Sequence, residues 1–225
     1  MELKFVGKGS AFTPSLKNTS AFFVIEDNLF LIDCGESVFG EIWDLNELKD
    51  CRNIYVLITH LHCDHVGSLA SLASYCFYVL NKKIQVIHPE TTIVTLLKLM
   101  GIEEHVYHYE SELLQELPGI SVKAIPVDHV NTMQCYGYLL EANNVRIFYS
   151  GDSYRIPDEI LADFLKGAID FIYQDTSIHT SKSPSHCDID KLELLIPVEF
   201  RKKVYCMHLN GNNENIYRNR GFLTI

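Results

Sequence analysis

The chain has 225 residues, a formal charge of −10 at neutral pH, and the hydrophobic (47%) and charged (21%) fractions of an ordinary globular protein. This acidic balance argues against a wide surface for the phosphates of an extended nucleic acid. Seven scattered cysteines without a CxxC pair, no signal pattern at the N-terminus and no apolar run of membrane-spanning length predict a cytoplasmic protein with reduced thiols and no membrane association.

The hydrophobic pattern predicts alternating hairpins and strand–helix units, and therefore a layered α/β architecture in one domain covering residues 1–225. The predicted strands are Leu3–Val6, Ala21–Ile25, Leu29–Asp33, Ile54–Thr59, Ile84–Ile87, Val106–Tyr109, Ile120–Pro126, Tyr136–Glu141, Val145–Ser150, Ile169–Gln174, Val204–Met207 and a last one near Phe222–Ile225. The predicted helices are Val38–Leu48, Val66–Tyr78, Thr91–Met100, Asp158–Leu165 and one that Asp188 caps at its N-terminus.

The densest chemistry lies directly after the predicted strand Ile54–Thr59. Three histidines and one carboxylate fall within six residues there: His60, His62, Asp64 and His65. Each buried imidazole or carboxylate needs a partner, and one metal ion is a partner for several of them at once. His60 and His62 lie two residues apart, so in extended geometry they point the same way.

Further candidate ligands follow other predicted strands. His129 follows Ile120–Pro126, Asp152 follows Val145–Ser150, and His208 follows Val204–Met207. A lone histidine at a strand end is usually structural, but three such ligand-type residues in a chain that already carries an HxHxDH cluster indicate a shared site.

The chain resembles the metallo-β-lactamase fold superfamily over nearly its whole length. The resemblance is carried by the ligand-type residues named above, by the run Leu31–Glu36 and by the Gly151-Asp152-Ser153 turn. The resemblance implies an α/β fold with a four-layer αβ/βα sandwich and two divalent metal ions, usually zinc, with manganese or another ion as alternatives. It implies that one ion is held by His60, His62 and His129, the other by Asp64, His65 and His208, and that Asp152 bridges them. His62 stands where a glutamate would indicate a di-iron redox protein, which favours hydrolysis.

Within that superfamily the chain is most similar to the ribonuclease Z-like phosphodiesterases. The similarity includes the third-motif run from His129 to Tyr138 and His186 just before a predicted helix, although Cys187 replaces the usual small hydroxyl residue. The tRNA-processing members carry a protruding arm, most often between residues equivalent to His129 and Asp152, but here residues 130–151, 22 in number, hold only one hairpin. The missing arm favours a small phosphodiester substrate, most simply a cyclic nucleotide, as in the arm-less anti-Pycsar-type phosphodiesterases.

The implied mechanism is attack on phosphorus by a metal-bridging hydroxide, between ions about 4 Å apart that lower the pKa of the water. Asp64 would orient that hydroxide or accept its proton, and His186 would act as the general acid toward the departing sugar oxygen. Asp33 is expected to fix the ligand loop by hydrogen bonding. Tyr138 and Ser153 are candidates for holding phosphate oxygens, with a buried tyrosine and a turn serine as the alternatives.

Three other functions remain open from the sequence. They are a tRNA 3′-end endonuclease, a lactone, thioester or β-lactam hydrolase on the same scaffold, and a non-catalytic metal-stabilised module. Related enzymes are commonly homodimers, so a homodimer is expected, and the apolar helix ending at Tyr78 is either its interface or a core helix. Cys63 is expected to point away from the ligands, and His179 is a further candidate because it shares a loop with His186.

Overall fold

The structure is a computed structural model that describes residues 1–113, 117–178 and 185–225. The chain divides into two compact units. The first comprises Glu2–Gly7 and Lys17–Glu116, and the second comprises Met1, Lys8–Leu16 and Leu117–Ile225. Each unit has its own β-sheet and its own apolar core. The prediction of one domain for residues 1–225 stays a prediction.

The first unit holds six strands and five helices among its described residues. The strands are β1 (Lys4–Gly7), β2 (Ser20–Ile25), β3 (Asn28–Ile32), β4 (Asn53–Leu57), β5 (Gln85–Ile87) and β6 (His108–Glu110). The helices are α1 (Val38–Ile42), α2 (Asn46–Asp50), α3 (Cys63–Val66), α4 (Leu69–Tyr78) and α5 (Thr92–Leu99).

The sheet of the first unit follows the chain order from β1 to β6. Strands β1 to β3 are antiparallel, and β3 to β6 run parallel, with Ile32 opposite Leu57. The carboxyl ends of β3 and β4 therefore lie at one edge of the sheet, which brings Asp33 beside the segment that begins at Ile58. Helix α4 packs Leu69 and Leu72 into the core of this unit, as one of the two interpretations of that helix predicts.

The second unit contains seven further strands and three further helices among its described residues. The strands are β7 (Ile120–Val127), β8 (Cys135–Ala142), β9 (Val145–Tyr149), β10 (Phe171–Ser177), β11 (Cys187–Asp188), β12 (Val204–Met207) and β13 (Leu223–Thr224). The helices are α6 (Asp158–Leu165), α7 (Ile189–Leu195) and α8 (Glu214–Asn219), and short 3-10 turns cover Pro14–Leu16 and Val198–Lys203.

The strand order in the second sheet is β13-β12-β10-β9-β8-β7, and β11 pairs with β10. Strands β7, β8 and β9 are antiparallel neighbours, whereas β9, β10, β12 and β13 run parallel. As a result the carboxyl ends of β7, β9, β10 and β12 all lie at the same edge. The residues that follow or end these strands, His129, Asp152, Asp175 and His208, are gathered there.

Most predicted elements exist, but α8 and β11 were not predicted, and two predicted helices are divided. The predicted helix Val38–Leu48 is broken into α1 and α2, with Trp43 to Leu45 between them. The helix expected over Val66–Tyr78 is divided in two: α3 covers Cys63–Val66 and so includes Asp64 and His65, and α4 covers Leu69–Tyr78. Within the described residues no helix combines the length and the apolarity that crossing a membrane requires.

Candidate metal centre

Asp33 organises the histidine cluster of the first unit. This fully buried carboxylate accepts hydrogen bonds from the Thr59 backbone N–H (2.8 Å), the Thr59 hydroxyl (2.9 Å) and His65 Nδ1 (2.8 Å). Its backbone adopts a left-handed φ of 62°, a conformation that asparagine and aspartate tolerate better than most residues. The sharp turn lets the carboxylate fold back onto the segment after β4, so the predicted role of Asp33 in fixing the ligand loop matches its contacts.

In the first unit, one ring nitrogen of His60 and of His65 contacts the protein, and the other faces a neighbouring ligand-type side chain. His65 donates from Nδ1 to Asp33, which leaves the Nε2 lone pair 3.3 Å from Asp64 Oδ2. His60 Nδ1 lies 3.1 Å from the Thr59 hydroxyl, and its Nε2 lies 3.0 Å from His62 Nδ1. Four ligand-type side chains thus converge, and the outer nitrogens of two of them, His60 and His65, contact the protein.

In the second unit, Asp152 offers its two carboxylate oxygens to two different imidazoles. Oδ1 lies 3.4 Å from His208 Nε2, and Oδ2 lies 3.6 Å from His129 Nε2. His129 donates from Nδ1 to the Ser185 carbonyl at 2.7 Å, which directs Nε2 toward Asp152. His208 adopts a left-handed φ of 57°, a strained backbone of the kind that collects at functional sites.

Asp175 is a buried acid beside these histidines that the sequence pattern did not indicate. It is fully buried near the end of β10, where its Oδ2 accepts from His186 Nδ1 (2.7 Å) and from the Ser153 backbone N–H (3.0 Å). Its Oδ1 lies 3.5 Å from His208 Nδ1. The signal in the sequence was an acidic residue at the end of an apolar strand, 11 positions before His186, which is the same kind of placement that Asp33 has.

The protonation of His186 follows from these neighbours. Burial alone disfavours the charged imidazolium, but the hydrogen bond and charge of Asp175, with the charge of Asp152, outweigh it and raise the pKa of His186 above its ordinary value. The ring stacks on that of His208 with centroids 5.0 Å apart. Its side chain keeps 30% exposure, so the imidazole can reach a bound substrate from a fixed position.

The donor sets fit a divalent cation in both units. Zinc binds histidine nitrogen and carboxylate oxygen at about 2.0–2.2 Å, so ligand atoms around a tetrahedral ion lie roughly 3.3 Å apart. The facing atoms described above are separated by 3.0 to 3.6 Å. Nearby thiols do not compete, because burial raises the pKa of Cys34 and of Cys206 to about 12 and keeps both neutral.

The remaining predicted residues take structural places. Tyr138 is completely buried inside β8, and the Ser153 hydroxyl donates to the Arg155 carbonyl at 2.6 Å, so both match the structural alternatives weighed for them. Cys63 is exposed, as expected for a side chain that turns away from the ligands. His179 lies outside the described residues.

Comparisons with known proteins agree with this geometry. The family model described as anti-Pycsar protein Apyc1 matches residues 1–225. The anti-Pycsar protein Apyc1 of Bacillus phage BSP38 is 30% identical, and the alignment covers 98% of this chain and 93% of that protein.

Two solved structures share the fold at low identity. Human tRNase Z, short form, superposes with a TM-score of 0.72 at 19% identity, over 100% of this chain and 96% of that one. The metallo-β-lactamase fold protein YhfI from Bacillus subtilis superposes with a TM-score of 0.73 at 13% identity, over 99% and 94%. The predicted α/β metallo-β-lactamase fold and its ribonuclease Z-like relationship are confirmed. The chain belongs to the anti-Pycsar protein Apyc1 family and is a metal-dependent phosphodiesterase.

Proposed function

We propose that this protein hydrolyses 3′,5′-cyclic nucleotides with the help of two divalent ions, most simply zinc. The observation that carries the dinuclear site is the position of Asp152, whose two oxygens face the Nε2 atoms of His208 and His129. A carboxylate in that position suits a ligand shared between two ions. Zinc fits the nitrogen-rich donor set, and manganese is the alternative to test.

Under this proposal His60, His62 and His129 would hold one ion and Asp64, His65 and His208 would hold the other. Asp152 would contribute to both sets. Bound divalent ions supply Lewis-acid polarisation of the phosphate and a water of lowered pKa. A carboxylate and a carbonyl of the protein fix the outer nitrogens of His65 and His129, and Asp175 Oδ1 lies 3.5 Å from that of His208, so these imidazoles are oriented for metal.

Two residues of the chain handle protons in the proposed reaction. His186 is the general acid that protonates the departing sugar oxygen, and Asp175 holds its ring through Nδ1 at 2.7 Å, which leaves Nε2 for the substrate. Asp64 is the group that orients the attacking water or accepts its proton. Its Oδ2 lies 3.3 Å from His65 Nε2, and Asp64 lies in the first turn of α3, which sets the position of its carboxylate.

A small substrate is supported by the segment between His129 and Asp152. It folds as the hairpin of β8 and β9 with a two-residue turn at Asn143 and Asn144, and it carries no inserted arm. The net charge of −10 also disfavours a long polyanion. Membership in the anti-Pycsar protein Apyc1 family supports the same choice, because anti-Pycsar proteins degrade cyclic nucleotides.

A substrate panel tests this proposal. The zinc- or manganese-loaded protein is given 3′,5′-cyclic nucleotides, bis(p-nitrophenyl) phosphate, a pre-tRNA and a lactone, with Asp64→Ala as the control for contaminating hydrolases. Turnover of cyclic nucleotides that disappears in Asp64→Ala is the expected result. Preferential cleavage of the pre-tRNA would replace the proposal with tRNA 3′-end processing, and lactone turnover alone would replace it with carboxyl-ester chemistry.

The proposal includes a cytoplasmic homodimer. None of the seven cysteines forms a disulfide, which supports a reducing compartment. The homodimer is expected from related enzymes, and light scattering coupled to size-exclusion chromatography checks it. A mass of one chain, 25.8 kDa, would contradict it.

A further inference from the structure

The peptide group between Ile58 and Thr59 comes directly before His60, the first residue of the ligand cluster in the first unit. Its N–H, on Thr59, donates to the Asp33 carboxylate at 2.8 Å. Its carbonyl, on Ile58, accepts from His88 Nδ1 at 2.9 Å. Asp33 follows β3 and His88 follows β5, and both are buried. Two side chains from the strands on either side of β4 therefore hold one peptide plane.

A proline explains why a histidine occupies this place. In the parallel pairing of β4 with β5, Leu57 lies opposite Ile87, and the Ile58 N–H donates to the Ile87 carbonyl at 3.0 Å. The even spacing of a parallel ladder would next join the Ile58 carbonyl to the N–H of residue 89. That residue is Pro89, which has no N–H to donate. The imidazole of His88 therefore supplies a hydrogen bond that the backbone of β5 cannot make.

The backbone of His88 is itself anchored to β6. Its N–H donates to the Glu110 carbonyl at 3.2 Å, and its carbonyl accepts from the Tyr109 hydroxyl at 3.0 Å. The residue is 1% exposed, so its ring is enclosed by the protein. Because His88 is fixed at its backbone as well as at Nδ1, it can hold the peptide that it contacts in one orientation.

We infer that His88 is a positioning residue of the metal centre, because it fixes the peptide plane from which His60 projects. The inference rests on the proposed metal-binding role of His60 and adds a histidine outside the ligand set. The Thr59 hydroxyl lies 3.1 Å from His60 Nδ1, so a shift of the Thr59 backbone also changes the contact at the outer nitrogen of this ring. Groups that orient a metal-binding imidazole in this way also set its metal affinity.

Two substitutions at His88 separate hydrogen bonding from packing. In His88→Asn the amide nitrogen takes the place of Nδ1 and keeps a donor, but part of the volume of the ring is left empty. His88→Leu fills more of that volume and has no donor. In a competition titration, His88→Leu is expected to bind zinc about 10- to 100-fold more weakly than wild type, and His88→Asn within about threefold of it. His108→Leu is the matched control, since His108 is an exposed histidine of the adjacent strand β6.

Hydrogen exchange gives a readout that needs no metal. In the metal-free protein, the Thr59 N–H should exchange about tenfold faster in His88→Leu than in wild type or His88→Asn, because the peptide has lost one of its two holds. The Val56 N–H inside β4 should exchange at the wild-type rate in all three proteins. Unchanged exchange of the Thr59 N–H in a folded His88→Leu variant would overturn the inference.

The zinc titration distinguishes the failure of the inference from that of the proposed function. If the wild-type protein binds no zinc, the proposed metal use fails, and the inference fails with it. If the wild type binds zinc but His88→Leu binds it equally well, only the inference is overturned. An equal loss in His88→Leu and His88→Asn would also overturn it, because the ring would then matter through packing. If thermal unfolding shows that His88→Leu does not fold, His88→Met, which also lacks a donor, replaces it in both measurements.

Discussion

At the scale of single residues, two buried aspartates do the same physical work in the two units. Asp33 follows β3 and accepts from His65 Nδ1 at 2.8 Å, and Asp175 near the end of β10 accepts from His186 Nδ1 at 2.7 Å. Each also accepts from a backbone N–H, of Thr59 and of Ser153 respectively. Each carboxylate thereby fixes the tautomer of a histidine and ties it to a neighbouring strand end.

His186→Ala tests the proton-donor role through the leaving group. Turnover of a cyclic nucleotide, whose sugar alkoxide must be protonated, is expected to fall about 100-fold. Hydrolysis of bis(p-nitrophenyl) phosphate is expected to fall less than about threefold, because p-nitrophenolate leaves without a proton. Steady-state kinetics on both substrates, with metal content checked by atomic absorption, give the answer. An equal loss on both substrates would contradict the role of His186 as a general acid.

Substitutions at Asp33 separate folding from metal binding. Asp33→Ala leaves two N–H groups and a hydroxyl without their acceptor, so the free energy of unfolding should fall by about 3 kcal/mol. Asp33→Asn tolerates the left-handed backbone and keeps an acceptor for Thr59, but its amide donates to His65 Nδ1 and moves the ring proton to Nε2. We expect near-normal urea unfolding with about 10- to 100-fold weaker zinc binding in a competition titration. Wild-type zinc affinity in Asp33→Asn would contradict this account.

The sequence indicated most of these residues but not all of their partners. The HxHxDH cluster and the strand-end positions of His129, Asp152 and His208 are visible because ligand-type residues recur at strand ends. The role of Asp175 was not visible, since it depends on β10 lying between β9 and β12, a neighbour relation that local pattern does not encode.

At the scale of elements, the loop after β3 packs directly on α3. Cys34 N–H donates to the His65 carbonyl at 2.7 Å, and Ser68 N–H donates to the Cys34 carbonyl at 3.0 Å. Gly35 permits this approach, because a Cβ on it would lie 1.9 Å from the Asp64 carbonyl oxygen. The position of α3, and with it of Asp64 and His65, therefore depends on a glycine in the loop.

Gly35→Ala should displace α3 and weaken the ligand cluster. We expect Tm to fall by about 5 °C or more and zinc content to drop, because overpacking a tight backbone contact forces the backbone to shift. Gly40→Ala is the matched control, since a Cβ there meets nothing within 4 Å and Gly40 lies inside α1. That variant should keep its zinc and gain about 1–4 °C. Differential scanning fluorimetry with metal analysis measures both, and an unperturbed Gly35→Ala would contradict the packing argument.

Elements with strong local signals were predicted well. The β8–β9 hairpin follows from Asn143 and Asn144, which take left-handed φ values of 53° and 60° in a two-residue turn. The N-cap of α7 follows from Asp188, whose side chain accepts from the Asp190 N–H at 2.8 Å. The break between α1 and α2 was not predicted, because apolar spacing continues across Trp43–Leu45 while the backbone there leaves the helix.

At the scale of the whole molecule, metal should contribute to stability as well as catalysis. Buried carboxylates and imidazoles such as Asp64, His65, Asp152 and His208 are costly to keep without a shared cation. Binding at about 100 times the dissociation constant adds about 2.7 kcal/mol to the folded state, or roughly 5–10 °C in Tm for a chain of this size. Removal of metal with a chelator should lower Tm by that amount, and zinc should restore it. An unchanged Tm after verified removal would contradict this expectation.

The most direct test of the central claim is the hydrolysis of 3′,5′-cyclic nucleotides by protein of known metal content. Wild-type protein that carries two zinc ions per chain should turn over at least one 3′,5′-cyclic nucleotide at about 1 s⁻¹ or faster. Metal-stripped protein and Asp64→Ala should be inactive, and zinc should restore only the former. A fully loaded, folded protein that hydrolyses bis(p-nitrophenyl) phosphate but no 3′,5′-cyclic nucleotide would contradict the claim.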